Sequence, residues 1–186
     1  MALLVIGLAL WIAAHLFRRL APDAHAGLVA RLGKGPVRGL TAAVIGVGLI
    51  LVIIGFRSSP YVALYTPPGW AIHLNNLLML IAVFLFGAAN APSRVKRYLR
   101  NPMLTGVLVW AAAHLLVNGD LASLILFGGM ALWAAASIVA IDRATPRAPV
   151  APVPARADLK LALIAVIVFA AITALHAWLG VWPFPR

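Results

Sequence analysis

Four histidines stand inside runs that are otherwise apolar: His15, His73, His114 and His176. They are almost the only reactive side chains in those runs. The chain has no Cys and no Glu, and its four acidic residues are Asp23, Asp120, Asp142 and Asp158. An ionisable group within a bilayer is costly, and there it usually serves an ion path, a proton relay or the ligation of a cofactor. Imidazole binds Zn, Cu and Fe, including haem iron. Other chemistries are poorly served. Asp23, Asp142 and Asp158 fall in loops and Asp120 at a helix start, so no carboxylate pair can flank a substrate. No phosphate-binding glycine loop or nucleophile elbow is present.

The elements that carry these residues read as membrane helices. The chain has 186 residues, 64% hydrophobic and 10% charged. A soluble domain is roughly half apolar and about a quarter charged. Apolar runs cover about 1–18, 38–56, 70–90, 102–118, 120–141 and 159–180. A spanning helix needs roughly 20 residues, with about 17 tolerated. An open strand in lipid would leave backbone groups unpaired. The expectation is an all-α, polytopic bundle of about six transmembrane helices, one membrane domain over 1–186.

The net charge of +11 is not a nucleic-acid signature, because the basic residues sit in short loops. Thirteen of the fifteen fall in loops one, three and five, with only Arg57 and Arg186 elsewhere. The positive-inside rule then puts those loops in the cytoplasm and both termini outside. The N-terminal MALLVIGLALWIAAHLFRR lacks a basic n-region and reads as the first spanning helix. Asp120 and Asp158 are expected to cap the runs that follow them. Pro102 suits a first helical turn. Trp70, Trp178 and Trp182 suit interfaces. Residues 22–34 suit a short interfacial helix. Residues 145–157 are Pro- and Ala-rich and read as a cytoplasmic linker. No convincing internal repeat stands out.

This topology puts His73, His114 and His176 at similar depth toward the outer face, and His15 near the inner face. Asn76 follows His73 at i+3, while Trp110 and Asn118 flank His114 at i−4 and i+4. His25 falls in a loop and is assigned no role. Two histidines from different helices at one depth suit a metal or haem. Ala111 to Ala113, Gly128, Gly129 and Ala134 to Ala136 are small enough to leave room for a macrocycle, although small residues also let membrane helices approach closely. The bland alternative for each histidine is a hydrogen bond to a carbonyl or an interfacial ring.

Three stretches carry a resemblance. They are Arg100-Asn-Pro-Met-Leu-Thr-Gly with Trp110-Ala-Ala-Ala-His114 and Asn118-Gly-Asp-Leu-Ala-Ser123; Trp70 through His73 to Leu80; and His15 with Arg19-Leu20, Pro22, Arg31-Leu32-Gly33 and Arg38-Gly39. Over about 1–140 the chain resembles the NnrU family. The resemblance implies a multi-pass protein of the bacterial inner membrane that supports denitrification, with nitrite and nitric oxide reduction. Its partners would be denitrification or respiratory membrane proteins. The family is related to 15-cis-zeta-carotene isomerases, which implies haem b held by histidine and matches His15, His73 and His114. Where the isomerase branch has a cysteine, this chain has Ala111; where the family has Arg-His-Pro, it has Asn101.

Isomerase-like ligation favours His15 with His114. The topology sets them roughly ten residues apart in depth, about 15 Å, too far for one iron. His114 is retained by both arguments, and its partner is His73 or His15. Alternatives to an accessory haem protein are a haem-dependent polyene isomerase and a structural or assembly protein without catalysis. Arg-x-Pro before a spanning helix also resembles isoprenylcysteine methyltransferases, but Asn101 and the lack of Glu speak against that.

Overall fold

The computed structural model describes residues 1–184. Seven helices account for most of them: α1 (Ala2–Leu20), α2 (Pro22–Leu32), α3 (Lys34–Arg57), α4 (Ala71–Asn90), α5 (Pro102–Val117), α6 (Leu121–Ala144) and α7 (Ala155–Trp178). A short 3-10 turn, Arg94–Arg97, lies between α4 and α5. Among the described residues there is no strand, only a single bridge between Ala63 and Asp120. Five helices, α1, α3, α4, α6 and α7, are long and apolar enough to cross a membrane. Helix α5 has 16 residues and is shorter than these. Arg186, one of the two basic residues expected outside, lies beyond the described residues.

The chain divides into two compact units. The first holds residues 1–64 and 120–129; the second holds 65–119 and 130 onward. In the first, α1 and α3 pack closely. Glycines make this possible. A Cβ on Gly7 would sit 2.6 Å from the Val52 amide nitrogen and 2.7 Å from the Gly48 carbonyl oxygen. A Cβ on Gly55 would collide with the Leu3–Leu4 backbone. The order of these contacts, Gly7 near Gly48 and Leu4 near Gly55, makes the pair antiparallel. Small residues serve this end in membranes, where lipid is as apolar as a side chain and close contact must supply the attraction.

In the second unit α4 packs against α5 and α7. A Cβ on Gly106 would meet the Phe86 ring at 2.8 Å and the Ala82 carbonyl at 3.3 Å. Ala82, Ala88, Ala111, Ala113 and Ala134 are all fully buried. The outside is apolar instead. Ile50, Ile53 and Ile54 on α3, and Leu163, Val166 and Ile167 on α7, are among many exposed large side chains. Such a surface suits hydrocarbon rather than water.

Several local expectations are realised. Asp120 accepts from the Ser123 amide (3.0 Å) and hydroxyl (2.6 Å), so it does cap α6. Pro102 opens α5, and residues 22–32 are helical. Asp158 behaves differently from the expected cap. It sits within the first turn of α7 and accepts from the Ser93 hydroxyl (2.8 Å) and the Arg94 amide (3.1 Å). It therefore ties the 3-10 turn to α7, a long-range bond that no local pattern encodes. Residues 145–157 are also less idle than a linker. Helix α7 begins at Ala155, and Arg147 donates to the Lys96 carbonyl (2.9 Å).

Candidate functional site

His114 lies in the last turn of α5 and is half-buried. Its Nδ1 is 2.9 Å from the Trp110 carbonyl oxygen. A carbonyl can only accept, so Nδ1 carries the proton. In a neutral ring the lone pair then lies on Nε2. This is the usual arrangement of a ligating histidine, whose second nitrogen is anchored to fix tautomer and orientation. The Trp110 ring lies against the imidazole, centroids 5.0 Å apart.

The end of α5 that carries His114 is held from several directions. Asn118 donates to the His114 carbonyl (2.8 Å). The Tyr65 hydroxyl donates to the carbonyls of Leu115 and Asn118, the latter at 2.9 Å. The Tyr65 amide donates to the Gly119 carbonyl (3.1 Å). The last carbonyls of a helix lack partners within it, so these bonds complete the helix end. Tyr65→Phe should lower thermal stability by about 1 kcal/mol, the net worth of a typical hydrogen bond, in detergent unfolding measurements. An unchanged melting curve would show that the hydroxyl contributes nothing there.

His176 sits in the last turn of α7, half-buried, with Nδ1 donating to the Ile172 carbonyl (2.8 Å). Helices α4 and α5 run antiparallel, since Gly106 faces Ala82 and Phe86. Helices α4 and α7 do too, since Gly87 faces Leu161 and Asn76 donates to the Pro183 carbonyl (3.1 Å) beyond the end of α7. His73, Asn76, His114 and His176 therefore share one end of the second unit. His73, in the first turn of α4, is exposed. Asn76 is spent on Pro183 rather than on His73.

His15 belongs to the first unit. Its Nδ1 donates to the Trp11 carbonyl (2.8 Å), with ring centroids 4.4 Å apart. This is the His114 arrangement again. The sequences WIAAH, ending at His15, and WAAAH, ending at His114, share the same spacing, and WAAAS ends at the buried Ser137. Sequence reading found no repeat because the match is only five residues long. Its signal was a Trp four residues before each histidine.

Asn75 is a further polar residue of this end that no sequence expectation covered. It is buried at the same end of α4 as His73, its Oδ1 has no partner, and its amide donates to Asn76 at 3.4 Å. The signal was the Asn pair in an otherwise apolar helix. The small residues expected to leave macrocycle space divide: Gly129 receives the Leu8 side chain and Ala111, Ala113 and Ala134 are fully buried, while Ala112, Ala135 and Ala136 are exposed. Gly128 meets only a distant Leu124 methyl, at 3.8 Å. It ends a π-helical segment of α6, Leu124–Gly128. Among the described residues no group of three or more His, Cys, Asp or Glu side chains is placed to hold a metal ion.

No curated protein and no solved structure matches the chain. The family model described as NnrU protein matches residues 3–183. That span takes in α1 through α7 and every histidine discussed above, so this chain belongs to the NnrU family.

Proposed function

We propose that this NnrU-family protein is a haem-binding protein of the bacterial inner membrane that supports nitrite and nitric oxide reduction. In this reading it crosses the bilayer six times with both termini outside. Helix α5, about 24 Å long at 1.5 Å per residue, would be the shortest span. The observation that carries the reading is the His114 imidazole, whose Nδ1 is anchored on the Trp110 carbonyl, the arrangement that puts the lone pair of a neutral ring on Nε2. His176 supplies a second imidazole anchored in the same way from a different helix of the same unit.

The residues present suit haem b. His114 would hold the iron, with the second ligand drawn from His176 or His73 of the same unit. Haem supplies one-electron redox chemistry when bound. The protein's own part is orientation. Trp110 fixes the tautomer and lies against the ring, while Asn118 and Tyr65 hold the helix end in place. Partners would be denitrification or respiratory proteins in the same membrane.

The test is complementation in a denitrifying host from which the chromosomal copy has been removed. Nitrite consumption should fall on deletion and recover with the wild-type chain but not with His114→Ala. Full recovery by a variant lacking both His73 and His114 would instead favour a structural or assembly role.

A second reading is a haem-dependent polyene isomerase. It draws on an apolar groove of about 250 Å³ lined by Leu80, Ile81, Phe84, Ala162, Ala165 and Val166, which suits a length of hydrocarbon. Expression in a carotenoid-producing host tests it, and unchanged isomer composition would count against it.

A further inference from the structure

Between α4 and α7 runs a groove of about 250 Å³ whose lining is wholly apolar: Leu80, Ile81 and Phe84 on one helix, Ala162, Ala165 and Val166 on the other. Side-chain size makes it. The two helices touch where a Cβ on Gly87 would meet Leu161 at 2.7 Å. Beside that contact Ala162 and Ala165 are too short to fill the space that the longer Leu80 and Phe84 leave open.

The groove has a direction. On α7, Asp158 stands four residues before Ala162, on the same stripe as Ala165 and Val166. On α4, the stripe of Leu80 and Phe84 continues through Gly87 to Ala91. Both stripes run toward the 3-10 turn, Arg94–Arg97. Asp158 fixes that turn in place. One of its oxygens accepts from the Ser93 hydroxyl (2.8 Å) and from the Arg94 amide (3.1 Å), and Ser93 is fully buried. Four residues of helix are about 6 Å, so the main chain of Arg94 is held close to the end of the groove.

The charge of this turn is not answered within the chain. Arg94 and Arg97 are exposed and Lys96 is half-buried. Asp158 is engaged by a hydroxyl and an amide, not by a guanidinium. Among the described residues the one ion pair is Arg100 with Asp142. Three cations against one carboxylate leave the groove's end positive. An apolar groove that ends at a basic turn matches an acyl chain joined to a negative headgroup. Basic residues at a membrane surface attract anionic headgroups, and the arginine fork suits phosphate. A neutral polyene would fill the apolar part and leave Arg94 without a counter-charge.

We propose that the groove between α4 and α7 holds an acyl chain of an anionic phospholipid, with the headgroup phosphate bound by Arg94. In the topology proposed above, this end meets the cytoplasmic leaflet, whose surface is negative. The inference is independent of the haem reading and assigns the groove to a lipid in place of a polyene.

The test uses the full chain in a neutral detergent. Native mass spectrometry follows binding of dioleoylphosphatidylglycerol and of dioleoylphosphatidylcholine, which has the same chains and no net charge. Co-elution of β-carotene is read by absorbance. The wild type should bind phosphatidylglycerol roughly tenfold more tightly than phosphatidylcholine, the worth of one hydrogen bond to a charged group. Arg94→Gln keeps the main-chain bond to Asp158 and should bring phosphatidylglycerol down to the level of phosphatidylcholine. Ala162→Leu fills the groove and should weaken both lipids severalfold. Lys160→Gln removes the same charge two residues from Ala162, on the other side of the helix, and should bind as wild type. Equal binding of the two lipids by the wild type, an unchanged preference in Arg94→Gln, unchanged binding in Ala162→Leu, or an equal loss in Lys160→Gln would each overturn the proposal. So would β-carotene that displaces phosphatidylglycerol, since the groove would then belong to a polyene. Circular dichroism and size-exclusion profiles matched to wild type establish that each variant is folded.

Discussion

His114→Ala is expected to abolish the Soret absorbance of the purified protein while leaving its thermal stability close to wild type. The two halves follow from different interactions. At Nδ1 the ring donates within its own helix, to the Trp110 carbonyl. Losing that bond costs about 1 kcal/mol, and Ala recovers several tenths through helix propensity. The Tyr65 and Asn118 bonds to the end of α5 use backbone carbonyls and survive the substitution. Ligation has no such substitute, because an alanine offers no lone pair. His25→Ala is the matched control. That ring lies edgewise to Phe17 at 5.9 Å in α1 and α2, and its loss should leave the spectrum intact. A retained Soret band in His114→Ala would remove the central ligand from the account.

The second large effect is structural. Gly55→Val should destabilise the first unit by about 3 kcal/mol, the upper part of the range for overpacking. The new side chain would drive into the Leu3–Leu4 backbone, which cannot swing aside as a side-chain tip could. Helices α1 and α3 would have to part. Gly46→Ala on the same helix meets nothing within 4 Å. It should gain up to about 1 kcal/mol, because Ala is the better helix former. Thermal unfolding in detergent checks both. A Gly55→Val protein melting with wild type would mean that α1 and α3 do not meet at Gly55.

The helices were legible in the sequence because their cause is local. An apolar run bounded by Arg, Pro or Gly has one stable form in lipid, and each of the six runs became a helix within a few residues of the expected ends. Helix α3 starts at Lys34 rather than 38, since Gly35 and Pro36 are tolerated in a first turn. Helix α7 starts at Ala155, inside the expected linker. The Asp120 cap was legible for the same reason, as its partner is three residues away.

What remained hidden depends on residues far apart in the chain. Asp158 bonds across 65 positions to Ser93, and Tyr65 across 53 to Asn118. No periodicity announces such bonds. The small residues were legible as small but not in their use, because only packing reveals that Gly129 receives Leu8. The candidate site was half legible. The expected topology set His73, His114 and His176 toward one face, and in the structure they share one end of the second unit. The anchoring of the His114 and His176 rings, and the match between the His15 and His114 turns, needed the Nδ1 contacts.

The most direct test of the central claim is the absorbance spectrum of the full chain, purified in mild detergent from haem-replete cells. A Soret band is expected and, on reduction, the sharp split bands of a low-spin haem with two imidazole ligands. A folded, monodisperse protein with no Soret band would contradict it.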